Sequence, residues 1–221
     1  MAAPRPWRYD LAMEIIAGRF RLRDFDQSDR GAFLAYHAVP CFRALYGPQE
    51  ADPGHAGGLL ETFRLWASER PRRNYQLAIV QLQELQAMVG CCGLRGVVSE
   101  IGRAELGVEL APQYWGRYGY ALEVTDALLK FGFGDLGLRE IGGFTAGENT
   151  RVARLASCFG VAIASRAGPG WMRARGRRET EWRISRDCWK RSTGPDWRRG
   201  RSRERCRPLL PSGRDAPLGT A

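Results

Sequence analysis

The chain has 221 residues, 44% of them apolar, which is enough to bury the core of one domain and leave an appendage outside it. The apolar runs fall short of the roughly eighteen residues that a membrane helix needs, and the N-terminus MAAPRPWRYD lacks an apolar core of signal-peptide length. These features argue against membrane and secreted classes, so we expect a soluble, cytoplasmic protein with no membrane partner.

Positive charge is concentrated at one end of the chain. The sequence has 34 Lys and Arg against 24 Asp and Glu. Residues 1–164 carry 18 of each sign, so the excess of ten positive charges lies in residues 165–221. Two interpretations stay open for this region: a solvated, arginine-rich tail without a specific partner, or a segment that contacts an acidic partner such as ribosomal RNA or an acidic polypeptide.

Six cysteines and two histidines bear on redox and metal chemistry. The cysteines form no CxxC pair, and adjacent Cys91 and Cys92 would point to opposite faces of a strand, so we expect mostly reduced thiols. The histidines, His37 and His55, have no partner at ligand spacing, so the sequence predicts no metal site. The other cysteines are Cys41, Cys158, Cys188 and Cys206.

The first part of the chain combines short apolar patterns with proline and glycine breakers. Phe20 and Leu22 alternate with arginines as in a strand, and Asp26-Gln27-Ser28-Asp29 offers capping groups for the helix that follows. The pattern is compatible with a helix over 11–16, inside an N-terminal extension of 1–17. After this extension it predicts a strand at 20–22 and a helix through 32–36. A loop at 47–58 and a helix over 59–66 that ends near Pro71 follow.

Three β-rich runs predict an antiparallel meander, at 75–82, 87–97 and 103–110. The third run, RAELGVEL, alternates with period two. This spacing puts Leu106, Val108 and Leu110 on one face and Glu105, Gly107 and Glu109 on the other. Gly107 marks either a close backbone approach or simple packing.

A glycine turn and an amphipathic helix directly follow this strand, in the segment 111–134. Pro112 ends the strand, and after Gly116 and Gly119 the apolar positions recur at helical spacing through Phe131. A helix start exposes unpaired N–H groups, and glycine lets a phosphate approach the main chain, so the turn suits a pyrophosphate. A plain tight turn is the alternative, and neither the Walker GK[ST] pattern nor GxGxxG spacing is present here.

The rest of the chain predicts the far side of the sheet. A strand at 138–145 is followed by Glu148-Asn149-Thr150, which can cap a helix that runs to Gly160. Strands at 161–165 and 179–185 are joined by a basic loop, and the segment from Thr193 onward has no sustained period and many breakers, so we exclude it from the fold.

Several segments together resemble the GNAT superfamily of N-acetyltransferases, and in particular its ribosomal-protein N-terminal alanine acetyltransferase branch. They are RFRLRDFDQSD, AELGVELAPQYWG with GYALE, and ENTRVARLASCFGV. The resemblance covers roughly residues 18–190. It implies an α/β GNAT fold, a mixed and mostly antiparallel twisted sheet flanked by helices, with a disordered basic tail at 191–221.

The resemblance also implies acetyl-CoA as the acyl donor. In the family, the pyrophosphate lies on the glycine turn, here Trp115-Gly116-Arg117-Tyr118-Gly119-Tyr120-Ala121, and the pantetheine arm pairs with the strand that carries Leu106, Val108 and Leu110. The matching Asn149 is expected to contact the CoA arm as well as cap its helix. This sequence departs from the family's WGxGYA by one extra residue between the glycines, and Trp115 replaces the usual Gln or Arg.

Acetyl transfer from a thioester to an amine needs a neutral amine, a polarised carbonyl and a stabilised thiolate. Glu105 matches a Glu in the family's AEIGY-like stretch and is our first choice as base or as holder of a basic water; Glu109 is the second. Many superfamily members have a Tyr at the position of Ala156, and this branch often has a Ser at the position of Val152; either residue can protonate the leaving thiolate. Neither is present here, so the sequence identifies no proton donor for the thiolate.

We therefore expect acetyl transfer to a primary amine by direct attack in a ternary complex. A protein N-terminal α-amine is favoured by the branch and by the basic loop before the last strand, which would repel a polycation. A small-molecule amine is the alternative acceptor. A non-catalytic acyl-CoA-binding sensor and a ribosome-associating factor that uses the basic tail are alternatives from other classes.

Overall fold

The computed structural model describes residues 13–50, 52, 54–83, 87–98, 102–116, 119–146, 149, 152, 155, 159, 162–166, 170–174 and 176–192. The strands are β1 (Glu14–Ala17), β2 (Phe20–Arg23), β3 (Tyr75–Gln81), β4 (Met88–Val98), β5 (Arg103–Leu110), β6 (Glu140–Ala146), β7 (Ala162–Arg166) and β8 (Glu179–Ser185). The helices are α1 (Asp29–His37), α2 (Pro40–Arg43), α3 (His55–Ser68), α4 (Tyr120–Lys130), α5 (Gly170–Ala174) and α6 (Arg186–Ser192).

The strands form one sheet in the order β1-β2-β3-β4-β5-β6-β8-β7. All neighbouring strands pair antiparallel except β5 and β6, which run parallel. That parallel ladder covers only Arg103–Glu105 opposite Glu140–Gly142. Beyond it β5 keeps pairing with β4, and β6 keeps pairing with β8 as far as Ala146. The two central strands therefore diverge and leave an opening beyond Leu106 of β5 and Gly143 of β6.

Period-two alternation gives the sheet two packed faces. Leu77, Cys92 and Leu106 contribute to the core that packs under α4 with Val124 and Leu128. The opposite face carries a second core beneath α1, α2 and α3, made by the side chains of Phe33, Phe42, Leu60, Phe63, Ala78, Val80 and Cys91. The prediction that Cys91 and Cys92 point to opposite faces is confirmed, as is a mixed, mostly antiparallel sheet flanked by helices.

Several local predictions need correction. The helix suggested over 11–16 is wrong where the structure describes it, because Glu14–Ala17 pairs with β2 as β1 inside the predicted 1–17 extension. Helix α3 begins at His55, inside the predicted loop at 47–58, because burial of Ala56 and Leu60 outweighs the low helix propensity of its glycines. Helix α2 and the two short helices α5 and α6 were not predicted, and α6 reaches Ser192, inside the segment assigned to the tail.

Residues 193–221 of the predicted tail lie outside the described residues. None of the helices in the described ranges is both long and apolar enough to span a bilayer.

Two glycines provide a matched test of this packing. In α3, a Cβ on Gly58 would meet nothing within 4 Å. In the π-helical turn Phe131–Asp135 that follows α4, a Cβ on Gly132 would lie 2.6 Å from Ile141 Cδ1 and 3.0 Å from Leu94 Cδ1.

We expect Gly58→Ala to raise the free energy of unfolding by up to about 1 kcal/mol, because alanine loses less backbone entropy on folding. Gly132→Ala should lower it by about 1–3 kcal/mol, because the added methyl overpacks the core. Denaturant titration of both variants measures the difference. Equal effects in the two variants would contradict the placement of the turn against β6.

Candidate active site

The opening between β5 and β6 presents main-chain groups of β5. The Ala111 N–H donates to the Val89 carbonyl of β4 at 2.9 Å. In an antiparallel ladder, main-chain groups alternate in direction, so those of Leu106, Val108 and Leu110 point away from β4. Leu106 still meets β6 at the end of the parallel ladder, and Val108 and Leu110 face the opening. The Trp115 indole Nε1 donates to the Leu110 carbonyl at 2.7 Å, at the end of this edge. An extended ligand can therefore pair with β5 as an added strand.

Gly143 fixes the narrow end of the opening. A Cβ there would lie 2.8 Å from the Leu106 carbonyl oxygen and 2.8 Å from the Trp182 ring. Glycine thus permits β6 to approach β5 closely before the strands separate.

A glycine turn joins β5 to α4 at the wide end of the opening. Gly116 has φ 75° and Gly119 has φ 89°, both in the left-handed region that favours glycine. Helix α4 begins directly afterwards, at Tyr120, and its N-cap residue, Gly119, has no side chain with which to cap it. The first-turn N–H groups, including those of Tyr120 and Ala121, have no acceptor within the helix. Arg117 and Tyr118 lie outside the described residues.

The start of α4 is tied to the turn between β1 and β2. Glu123 accepts hydrogen bonds from the Arg19 main-chain N–H at 3.1 Å and from its guanidinium at 2.6 Å. Gly18, with φ 59°, leaves room for this carboxylate, since a Cβ there would lie 2.5 Å from Glu123 Oε2. The Arg19 guanidinium carbon also lies 4.6 Å from the centre of the Tyr120 ring. The ion pair of Arg19 and Glu123 therefore lies beside the glycine turn.

Asn149 lies just beyond the end of β6, the other wall of the opening. Its side-chain amide donates to Thr145 Oγ1 at 3.1 Å, and its main-chain N–H donates to the Ala146 carbonyl at 2.9 Å. Its carbonyl accepts from the Val152 N–H at 3.1 Å, at a helical residue. Ala156 lies outside the described residues.

A shallow trough crosses β4 and β5 on the face that carries α1–α3. We define it by two strand pairs and one further residue: Gly93 opposite Gly107, Arg95 opposite Glu105, and Glu109, which lies opposite Cys91. A Cβ on Gly93 would lie 2.1 Å from the Tyr75 carbonyl, so backbone packing requires glycine there. The predicted placement of Glu105, Gly107 and Glu109 on one face is confirmed.

Glu109 lies at one end of the trough, where its neighbours come from α1, from the turn after α2 and from β4. The Tyr46 hydroxyl donates to Glu109 Oε1 at 2.7 Å, and the Cys91 thiol donates to Oε2 at 3.4 Å. His37 Nε2 lies 3.8 Å from Oε2. The Glu109 side chain keeps 31% of its surface exposed, so it is held in place and still accessible to a ligand.

The groups around Glu109 are neutral near pH 7. Burial lowers the pKa of His37, although the Glu109 charge opposes this shift, so the ring is an uncharged imidazole. Burial and the Glu109 charge raise the pKa of Tyr46 and of Cys91 well above their usual values, which keeps both groups protonated as donors. The His37–Glu109 contact is therefore not an ion pair at neutral pH.

Glu105 has a different environment at the other end of the trough. The Arg95 guanidinium donates to Glu105 Oε1 at 2.7 Å, and the two side chains are 38% and 44% exposed, respectively. Glu105 is thus paired with a full positive charge near solvent. Among the described residues, Glu109 has no Arg or Lys partner.

Sequence patterns did not single out Tyr46, Arg95 or Cys91 as site residues. A hairpin register for β4 and β5 could have placed Arg95 opposite Glu105 and Cys91 opposite Glu109. Tyr46 lies 63 residues from Glu109 along the chain, and no local pattern reports such a contact. No group of three or more His, Cys, Asp or Glu side chains in the described ranges is arranged to hold a metal ion.

Comparison with known proteins identifies the family to which this fold belongs. A family model described as an acetyltransferase (GNAT) domain matches residues 19–162. The chain belongs to the GNAT acetyltransferase family, and it is an N-acetyltransferase of that family.

Two bacterial relatives are similar in sequence. Over 138 residues the chain is 28% identical to the uncharacterized N-acetyltransferase YoaA of Bacillus subtilis strain 168, covering 62% of this chain and 76% of YoaA. It is 35% identical over 74 residues to the uncharacterized N-acetyltransferase p20 of Bacillus licheniformis, covering 34% of this chain and 41% of p20. These relatives support N-acetyltransferase activity but do not identify an acceptor, so the ribosomal-protein branch stays a prediction.

Solved structures share the fold. A chimera of the spermidine N-acetyltransferase SpeG from Vibrio cholerae superposes with a TM-score of 0.65 at 17% identity, covering 78% of this chain and 99% of that one. A GNAT-family acetyltransferase from Bacillus anthracis superposes with a TM-score of 0.62 at 22% identity, covering 78% and 98%. At these identities the likeness shows the fold alone.

The lowered pKa of His37 predicts a specific acid sensitivity. Below about pH 6.5 the unfolded chain takes up a proton on this histidine before the folded chain does. The free energy of unfolding should therefore fall with decreasing pH, by at most about 1.4 kcal/mol per pH unit from this group.

His37→Asn should reduce this slope, because asparagine does not titrate. The variant should still fold, since the asparagine amide can donate to the Phe33 carbonyl that lies 3.0 Å from His37 Nδ1. Denaturant titrations of wild type and His37→Asn between pH 5 and 7.5 give the two slopes. An unchanged slope in His37→Asn would contradict a buried, neutral His37.

Proposed function

We propose that this acetyltransferase transfers an acetyl group from acetyl-CoA to a primary amine, and that the amine is a protein N-terminal α-amine. The observation that carries the proposal is the divergence of β5 from β6 after Glu105, directly beside a trough that holds an accessible carboxylate. The unpaired edge of β5 supports binding of an extended acyl donor. The trough supports an amine on the other face of the same strand.

The described residues fit acetyl-CoA. Val108 and Leu110 would hold the pantetheine arm through their main chain, because β6 does not pair with them, whereas the Leu106 N–H is used by the last pair of the ladder, Glu105 with Gly142. Gly116, Gly119 and the first N–H groups of α4, with Tyr120 and Ala121, would hold the pyrophosphate, since glycine and an uncapped helix start favour anions. Trp115 would fix the strand edge, and Asn149 would contact the arm from the side of β6.

The bound donor would supply a thioester carbonyl for attack by the amine. The chain's own task is to deliver that amine unprotonated. Glu109 is suited to take the proton, directly or through one water, because its neighbours are neutral donors that orient the carboxylate without contributing a positive charge. A main-chain N–H of Val108 or Leu110, facing the opening, would polarise the acyl oxygen.

This assignment reverses the order suggested by sequence, in which Glu105 was the first choice. Glu105 is paired at 2.7 Å with the Arg95 guanidinium. Proton uptake there would break an ion pair, whereas proton uptake at Glu109 would not. Both carboxylates stay candidates, and their amide variants separate them.

A small-molecule amine is the alternative acceptor. SpeG, one of the structural neighbours, is named a spermidine N-acetyltransferase. Within the trough the charge of Arg95 is balanced by Glu105, and Glu109 leaves a net negative charge, so the trough itself does not disfavour a polycation. The basic residues before β8, among them Arg177, whose guanidinium donates to the Ala44 carbonyl at 3.3 Å, support an acceptor with fewer positive charges than spermidine.

The proposal is tested by measuring free thiol released from acetyl-CoA by the full chain, with peptides of varied N-terminal residues and with spermidine as acceptors. We expect release that depends on a peptide acceptor. Release with spermidine alone would overturn the assigned acceptor. Donor binding by calorimetry with no release for any amine would overturn catalysis and favour an acyl-CoA-binding sensor.

Glu109→Gln should lower kcat by about 10²-fold or more, because the amide keeps the hydrogen bond from Tyr46 but cannot take up the proton. The KM for acetyl-CoA should stay unchanged. Glu105→Gln is the matched variant on the same face and should lose less than about ten-fold in kcat. The opposite ranking would assign the base to Glu105.

A further inference from the structure

Arg95 occupies the trough in a way that its pairing with Glu105 does not explain. Its guanidinium carries five N–H donors, yet the structure gives it one hydrogen-bond acceptor, Glu105 Oε1, contacted through Nη2. With 38% of its side chain exposed, the remaining donors can reach a ligand.

The position of the guanidinium is set by Gly107. A Cβ on Gly107 would meet Arg95 Nη2 at 3.0 Å and Arg95 Cζ at 3.6 Å, and no backbone atom within 4 Å. Gly93, opposite Gly107, is required by the Tyr75 carbonyl instead. Strand packing therefore leaves room for a side chain at Gly107, and the glycine serves to let Arg95 lie across the floor of the trough.

Arg95 also faces the same site as Glu109. Burial raises the pKa of Tyr46, the residue that donates to Glu109, and the positive charge of Arg95 opposes that rise. The guanidinium lies over Gly107, and Glu109 is two residues along the strand, about 7 Å in a strand of ordinary rise. When an acceptor amine lies at Glu109, the Arg95 guanidinium can therefore reach the acceptor atoms that neighbour the amine nitrogen.

We propose that Arg95 is a specificity-determining residue that binds a carbonyl or carboxylate oxygen beside the acceptor amine. This inference rests on the proposed amine acetylation and deepens it by naming the residue that selects the acceptor: Arg95 favours an α-aminoacyl group, as in an amino acid or a peptide N-terminus, over an alkylamine. A guanidinium suits this task because it is always charged and presents its donors in a planar fork.

Two probe acceptors isolate the carbonyl. Alanine amide carries it next to the amine, and 2-aminobutane has a similar shape without it. The measured quantity is the ratio of kcat/KM for alanine amide to that for 2-aminobutane, followed by thiol release with the full chain. The two amines also differ in basicity, which affects the ratio equally in wild type and variant. The test is therefore the change of the ratio between wild type and variant.

Arg95→Met should lower the ratio at least about ten-fold, since a hydrogen bond to a charged group contributes about that much or more. The loss should appear in the KM and kcat for alanine amide, with the KM for acetyl-CoA unchanged. Arg95→Lys keeps the charge and a partner for Glu105 but loses the fork, so it should give a smaller fall. Gly107→Ala, which displaces the guanidinium, should act in the same direction as Arg95→Met.

Arg103→Met is the matched control, because Arg103 is an exposed arginine of β5 whose guanidinium lies 3.1 Å from Glu140, outside the trough. Its ratio should equal that of wild type. An unchanged ratio in an active Arg95→Met would overturn the role of Arg95 and leave the proposed function standing. If Arg95→Met does not fold, an unchanged ratio in both Arg95→Lys and Gly107→Ala has the same meaning. A wild type that releases no thiol with any amine would overturn the proposed function, and this inference with it.

Discussion

The parallel ladder between β5 and β6 ends after three residue pairs, and the two strands then follow different partners. Each strand is held on its outer side, β5 by β4 and β6 by β8, so the sheet stays continuous while its centre opens. An unpaired strand edge normally invites association with another chain. Here that edge lies inside the sheet, where the glycine turn and the start of α4 close one end of the opening.

Strand β5 borders two chemical environments. Its side chains alternate between the two faces of the sheet, whereas its main-chain groups lie in the plane of the sheet and point toward the neighbouring strands. Leu106 packs under α4, and Glu105 and Glu109 face α1–α3 in the trough. The two carboxylates differ in environment because their neighbours differ in charge: Arg95 neutralises Glu105, and neutral Tyr46 and Cys91 orient Glu109. A donor site and an acceptor site can therefore lie on opposite sides of one strand.

Sequence periodicity predicted the elements whose pattern is local. β5 and β8 have the predicted bounds because alternation and breakers define them. β1 was missed because four residues carry little periodicity, and the start of α3 was missed because its glycines resemble a loop while packing decides the outcome. The shared face of Glu105 and Glu109 followed from strand geometry. Their partners depend on tertiary register, so Arg95 and Tyr46 became visible only in the structure.

The proposed chemistry depends most on binding of the acyl donor by the unpaired main-chain groups of β5. Hydrogen–deuterium exchange of individual amides, measured with and without acetyl-CoA, tests this directly. Acetyl-CoA should slow exchange at Val108 and Leu110, whose N–H groups face the opening, and leave Leu22 of the β2–β3 ladder unchanged. Donor binding that leaves Val108 and Leu110 unprotected while slowing exchange elsewhere would contradict the proposed donor site.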